Sequence, residues 1–201
     1  MTSPLSPASK GKLVLIIGPS GVGKSVILQR LRRAHRQIHF PRSATTRARR
    51  PRESDDLYRF VTDEEFEMLV QQKKLLEWAT VHGGARYGTL INEIFPPIEA
   101  GKTVLREVDV QGFDHIRGNP LFAGADPRYR LVSIFILPES KEQLIAHITK
   151  RAPIGKEELA RRVTSMEHEL AYAELCTAQV KNLEGKMQDT LKKVEKIILQ
   201  Q

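Results

Sequence analysis

The segment Gly18-Pro19-Ser20-Gly21-Val22-Gly23-Lys24-Ser25 fits the phosphate-binding pattern G-x-x-x-x-G-K-[ST], and no other feature restricts the chain as much. Such a loop works only where a buried strand hands over to the start of a helix. Both flanks are present. Lys12 to Ile17 reads as a continuous apolar run of the kind buried parallel strands show. Val26 to Arg33 then shifts to helical spacing, with Ile27, Leu28 and Leu31 on one face. Gly18, Gly21 and Gly23 allow a tight turn in which successive N–H groups point at phosphate oxygens. In that arrangement Lys24 reaches the β- and γ-phosphates and the Ser25 hydroxyl ligates Mg²⁺. The segment therefore reads as a nucleoside triphosphate site.

Charge bears on the second ligand. The net charge is +8, from 32 basic and 24 acidic side chains. A basic face for nucleic acid and a pocket for a small phosphorylated ligand would both need it. The arginines come in clusters, Arg30, Arg32, Arg33 and Arg36, then Arg42, Arg47, Arg49, Arg50 and Arg52. No aromatic ladder or helix-turn-helix pattern accompanies them, so the small-ligand reading is favoured over nucleic acid. At 201 residues the chain is one domain, or one core with inserts. No stretch approaches the roughly 18 apolar residues of a membrane span. Residues 1–10 read as a disordered tail, not a signal peptide. The single cysteine, Cys176, is read as helix packing and fits a reducing cytoplasm.

Strands alternating with helices predict an α/β fold with a parallel sheet. The Arg-rich stretch 41–59 reads as a substrate loop. Thr62 with Glu65 predicts a capped helix to Lys73, with Phe66, Leu69 and Val70 on one side. A short apolar run covers 75–81, and His82-Gly83-Gly84 turns the chain. Residues 92–100 look helical only after Pro96 and Pro97. Thr103 to Val110 reads as the second core strand and Leu131 to Leu137 as the third, stopped by Pro138. Helices are predicted over 140–151 and 156–175, broken by Ala152-Pro153-Ile154-Gly155, and over 190–199, with Leu191, Val194, Ile197 and Ile198 inward.

Glu107 and Asp109 alternate on the predicted second strand, which puts both carboxylates on one face ahead of a Gln111-Gly112 stop. Buried there, they would need Mg²⁺, an arginine or N–H donors of a ligand as partners. Ser43-Ala44-Thr45-Thr46-Arg47-Ala48-Arg49-Arg50 offers hydroxyls and guanidinium groups together, suited to bidentate phosphate pairing. Tyr58 and Tyr87 could each present an O–H to a phosphate. Arg151, Arg161 and Arg162 flank the Pro-Gly break, where a hinged helical flap would bring cations to a closing site.

These motifs together resemble the guanylate kinase family over nearly the whole chain, from about Lys12 to the last helix. The resemblance rests on the phosphate loop, Ser43-x-Thr45-Thr46-Arg47, Tyr58-x-Phe60, Leu76-Glu77-Trp78-Ala79 and Tyr87-Gly88-Thr89. Glu107-Val108-Asp109-Val110-Gln111-Gly112 and Glu169-Leu170 complete the set. It implies a three-layer P-loop NTPase fold and Mg²⁺-dependent phosphoryl transfer from ATP to GMP. It also implies a P-loop core (11–41, 93–140 and 172–201), a GMP-binding region (42–92) and a helical lid (141–171). Residues Gly18 to Val26 (Gly18, Pro19, Ser20, Gly21, Val22, Gly23, Lys24, Ser25 and Val26) would hold ATP. Arg47, Arg50, Tyr58 and Tyr87 would hold the GMP phosphate, and Ser43, Glu77, Thr89 and Asp109 would read guanine. Glu107 would sit near Mg²⁺, which Ser25 ligates. Lys24, Arg50, Arg151 and Arg162 would stabilise the transferring group.

The chain departs from the family in three places on the GMP side and the lid. The loop Arg49–Tyr58 is one residue shorter and lacks two glycines, the approach to Tyr87 is one residue longer, and His147 replaces a lid arginine. Two rival readings remain open at this point: a non-catalytic binding module of the same fold, and a kinase for another phosphorylated acceptor. The expected state is a cytoplasmic monomer or homodimer, with ATP and GMP as partners and neither nucleic acid nor a membrane.

Overall fold

Our computed structural model describes residues 11–49, 53, 55–80, 84–151 and 155–200, apart from the side chains of residues 150, 151, 156 and 158. The order of elements is β1 (Lys12–Ile17), α1 (Lys24–Ala34), β2 (Ser43–Thr45), β3 (Tyr58–Phe60), α2 (Asp63–Gln71), β4 (Leu75–Thr80), β5 (Arg86–Leu90) and α3 (Ile91–Glu99). There follow β6 (Thr103–Glu107), α4 (Val110–Arg117), β7 (Arg130–Pro138), α5 (Lys141–Arg151), α6 (Lys156–Ala171), a 3-10 turn at Tyr172–Leu175, β8 (Ala178–Asn182) and α7 (Met187–Leu199). One sheet runs β6-β1-β7-β8 and the other β3-β2-β5-β4. The chain divides into two compact units, each built from several segments.

The first unit comprises residues 1–13, 37–105 and 111–131 and contains the whole β3-β2-β5-β4 sheet. Its two faces are sorted by the alternation of side chains along each strand. Ala44 and Leu90 join Phe66 and Leu69 of α2 in a buried cluster, against which Leu75 packs. Gly88 lies on that apolar face too, opposite Ala44 on one side and Trp78 on the other. A Cβ at Gly88 would fall 2.8 Å from Leu75 Cδ1 and 3.2 Å from Phe66 Cζ, so the helix packs as closely as it does only over a glycine. The residues opposite one another on the other face are Tyr58, Ser43 and Thr89, then Phe60, Thr45 and Tyr87. Helix α2 begins as expected, on Thr62. Its hydroxyl accepts the Glu65 N–H at 3.1 Å while the Glu65 carboxylate accepts the Thr62 N–H at 2.9 Å.

The second unit comprises residues 14–36, 106–110 and 132–201. Val14 to Ile17 are fully buried, and β7 pairs in parallel with β8 from Ile134↔Ala178 to Pro138↔Asn182. The Ser140 hydroxyl accepts the Gln143 N–H at 3.2 Å and so sets the start of α5. Helix α7 buries Leu191, Val194 and Ile198, at the expected helical spacing.

Four local expectations are corrected. The Arg-rich stretch 41–59 holds two short strands, β2 and β3, because Ala44 and Thr45 are buried in the second sheet. Helix α3 starts at Ile91, ahead of Pro96 and Pro97. The prolines remove only the bonds to the Asn92 and Glu93 carbonyls, and complete burial of Ile94 and Ile98 holds the segment helical. Strand β6 ends at Glu107 and α4 begins at Val110, running through Gln111 and Gly112 instead of stopping there. The spacing of buried Val110, Phe113 and Ile116 is helical, and that period prevails. Finally, Cys176 lies beyond the 3-10 turn, not inside a helix, and precedes β8, a strand with no counterpart in the expected elements.

Candidate active site

The phosphate loop is in the second unit. Gly18 has φ 144°, and a Cβ there would meet the Ile136 carbonyl oxygen at 2.5 Å, so both conformation and space demand glycine. Gly23, at φ 101°, opens α1 without a side-chain cap, and no acidic residue lies in the first turn. The first-turn N–H groups thus have no side-chain acceptor at the cap, and the helix dipole adds positive potential there. This is the arrangement that receives phosphate.

Lys24 Nζ donates to the carbonyls of Gly18 at 2.6 Å and Pro19 at 3.1 Å, which folds its ammonium back over the loop. Ser25 Oγ donates to Glu107 Oε2 at 3.0 Å, so a hydroxyl and a carboxylate sit together at the C-terminal end of β6. Hard oxygen donors of this kind suit Mg²⁺, which commonly uses one or two protein oxygens alongside substrate phosphates. Among the described residues no group of three or more His, Cys, Asp or Glu side chains is placed to hold a metal alone. Glu169, from α6, accepts the Ser20 N–H and lies near Lys24 and Asp109. Burial pushes its pKa above the ordinary carboxylate value, against the opposing pull of Lys24.

Asp109 departs from expectation. It is exposed and sits between β6 and α4, so it shares no strand face with Glu107. Arg162 is exposed on α6. Arg151 is the last residue of α5, but its side chain lies outside the described residues, as do Arg50 and the turn residues His82 and Gly83. His147, expected at a lid-arginine position, instead turns its Nδ1 to the Gly21 carbonyl at 3.2 Å.

The polar face of the second sheet is in the first unit and gathers the other candidates. Arg47 donates from Nε to the Tyr87 hydroxyl at 3.0 Å and from Nη2 to Glu53 Oε1 at 2.7 Å. Its guanidinium lies 5.3 Å from the Tyr58 ring centre. Glu53 raises the Arg47 pKa further above its ordinary value. The buried Thr89 hydroxyl donates to Glu77 Oε1, orienting that carboxylate. Ser43 lies opposite both Tyr58 and Thr89. Six predicted residues therefore converge on one sheet face: Ser43, Arg47, Tyr58, Glu77, Tyr87 and Thr89. Arg86 belongs elsewhere, tied to Asp63 at 2.9 Å and Glu67 at 3.1 Å.

Sequence reasoning missed Glu53 and Asn182. The buried Asn182 donates from Nδ2 to the Val22 carbonyl at 2.9 Å. The alternation of Ala178, Val180 and Asn182 could have located β8 and with it this residue. For Glu53, an acid six residues from Arg47 in the sequence, no pattern was available.

The guanylate kinase family model matches residues 10–201. A guanylate kinase from Nocardia farcinica is 42% identical over 164 residues, covering 81% of each chain. One from Prochlorococcus marinus is 36% identical over 188 residues, covering 93% of this chain and 96% of its own. The crystal structure of guanylate kinase from Anaplasma phagocytophilum superposes with a TM-score of 0.67 at 25% identity, covering 94% of this chain and 85% of that one. With a parallel α/β sheet, a phosphate loop between β1 and α1, and a family match over nearly its full length, the chain belongs to the guanylate kinase family.

Proposed function

We propose that this chain transfers the terminal phosphoryl group of ATP to GMP, giving ADP and GDP. One observation carries the reading beyond family membership: the phosphate loop is intact, and six of the residues matched to guanine and phosphate recognition, Ser43, Arg47, Tyr58, Glu77, Tyr87 and Thr89, share one sheet face. A binding module would have no use for the triphosphate cradle. A kinase for another acceptor would have no use for Glu77 oriented by Thr89.

Residues Gly18 to Val26 form the cradle for the ATP phosphates, and Lys24 swings from its loop carbonyls to the β- and γ-oxygens. Ser25 and Glu107 hold Mg²⁺, which when bound neutralises phosphate charge and orients the donor. Arg47, with Tyr58 and Tyr87, binds the GMP phosphate, and Arg50 joins it. Glu77 accepts hydrogen bonds from guanine N1–H and the 2-amino group, aided by Ser43, Thr89 and Asp109. Adenine has neither donor and would leave the carboxylate desolvated and unmatched. Arg151 and Arg162, on a lid spanning 141–171, stabilise charge on the transferring group. No general base of unusual pKa is required, since positioning and electrostatics supply the catalysis. Residues 42–92 form the GMP-binding region, and 11–41, 93–140 and 172–201 form the core. The working state is cytoplasmic, and among the described residues no helix is long and apolar enough to cross a membrane.

A coupled assay of ADP release with Mg·ATP and each nucleoside monophosphate tests the reading. Turnover is expected with GMP and not with AMP, CMP or UMP. Glu77→Gln should raise KM for GMP by about 10- to 100-fold, the loss of one charge-assisted hydrogen bond. An unchanged KM would remove Glu77 from base recognition.

A further inference from the structure

Three consecutive residues of the phosphate loop are each held by a side chain from a different element of the second unit. The Ser20 N–H is bound by Glu169 of α6. The Gly21 carbonyl faces His147 Nδ1 of α5 at 3.2 Å. The Val22 carbonyl accepts Asn182 Nδ2 of β8 at 2.9 Å. Asn182 is itself fixed, because its Oδ1 accepts the Thr190 hydroxyl at 3.0 Å and only Nδ2 is left to face the loop. Helix α5 also packs directly on Gly21, where a Cβ would come within 3.4 Å of Ile148 Cγ1 and 3.8 Å of His147 Cβ.

At position 147 the family pattern has an arginine that meets phosphate. A backbone carbonyl asks for something different, an N–H donor in a fixed direction and no permanent charge. A neutral imidazole protonated at Nδ1 supplies that. We propose that His147 is a positioning residue of the donor site, anchoring the Gly21 carbonyl through its Nδ1–H while Asn182 anchors that of Val22. Two successive carbonyls are thereby kept from turning into the cradle, where their oxygens would repel phosphate. The Val22 N–H donates to the Pro19 carbonyl at 3.3 Å, and the Gly23 N–H, trans to the anchored Val22 carbonyl across one planar peptide, is turned toward the ligand. The loop is ordered before the nucleotide arrives, so binding does not bear that entropy. This inference rests on the donor-site reading above.

The test uses the full chain with His147→Ala, His147→Asn and His147→Arg. Two quantities are measured: amide hydrogen exchange across residues 21–24 without nucleotide, and the Kd for ADP without metal. GMP binding reports that each variant is folded. His147→Ala should exchange faster and bind ADP about fivefold more weakly, equivalent to about 1 kcal/mol for one hydrogen bond. Asparagine places an N–H near the Nδ1 position, so His147→Asn should restore both quantities, whereas His147→Arg should not restore protection.

Unchanged exchange in His147→Ala would overturn the proposal. So would tighter ADP binding in His147→Arg with no recovery in His147→Asn, because that pattern belongs to a phosphate-contacting cation. Failure of the unsubstituted chain to bind ADP would instead overturn the donor-site reading, and the exchange measurement would still decide whether the anchor exists.

Discussion

Gly88 joins the packing of the second sheet to the residues that face GMP. Its neighbours Tyr87 and Thr89 point to the polar face, while Gly88 faces α2. In Gly88→Ala the new methyl would lie 2.8 Å and 3.1 Å from the two Leu75 methyl carbons and 3.2 Å from Phe66 Cζ. All three distances are shorter than ordinary carbon contacts of about 3.5–4.0 Å. Phe66 is fully buried and cannot retreat, so Leu75 must leave its rotamer or β5 must lift. Overpacking of this size costs about 1–2 kcal/mol, or about 3–6 °C in Tm for a chain of this length. Because β5 carries Tyr87 and Thr89, GMP binding should weaken and ADP binding should not.

The assay is thermal unfolding of Gly88→Ala, Leu75→Ala and the double variant. Leu75 is only half-buried, so its truncation alone should cost about 1–2 kcal/mol, less than a fully buried leucine. In the double variant two of the three short contacts disappear. Its cost should fall below the sum of the single costs by about 1 kcal/mol. If Gly88→Ala melts within about 1 °C of the unsubstituted chain, or if the two costs simply add, close approach to Leu75 is not the reason for a glycine.

Further outcomes follow from other contacts. Thr62→Ala removes the hydroxyl that accepts the Glu65 N–H, one of the two bonds of the capping box, and should cost about 1 kcal/mol, while Thr62→Ser should be nearly neutral by the same melting measurement. Glu107→Gln should raise the Mg²⁺ concentration for half-maximal turnover by about 10-fold and leave metal-free ADP binding unchanged. Glu169 has a pKa raised in the fold, so the folded state holds its proton longer than the unfolded chain. Its contribution is therefore full below the unfolded carboxylate pKa and is lost as pH rises through the folded value. Glu169→Gln should accordingly gain stability relative to the unsubstituted chain between acidic and neutral pH, read from Tm against pH. A constant difference would show that Glu169 titrates alike in both states.

The amino-acid sequence by itself determined the elements whose signals are local. Burial of a continuous apolar run made β1, the glycine spacing made the phosphate loop, and Thr62 with Glu65 capped α2. Motif order placed Ser43, Arg47, Tyr58, Glu77, Tyr87 and Thr89 in one recognition group, and strand alternation in the structure puts them on a single face. Tertiary structure decided what local signals leave ambiguous. Burial of Ile94 and Ile98 outweighed two prolines in α3, and the helical spacing of Val110, Phe113 and Ile116 took Asp109 off the strand. Strand β2, three residues long, is too short to announce itself and exists because neighbouring strands satisfy its backbone. The holds on the phosphate loop by His147, Glu169 and Asn182 join residues 126 to 160 positions apart in two cases. Only chain folding could reveal them, because a hydrogen bond across that separation leaves no periodic trace in the sequence.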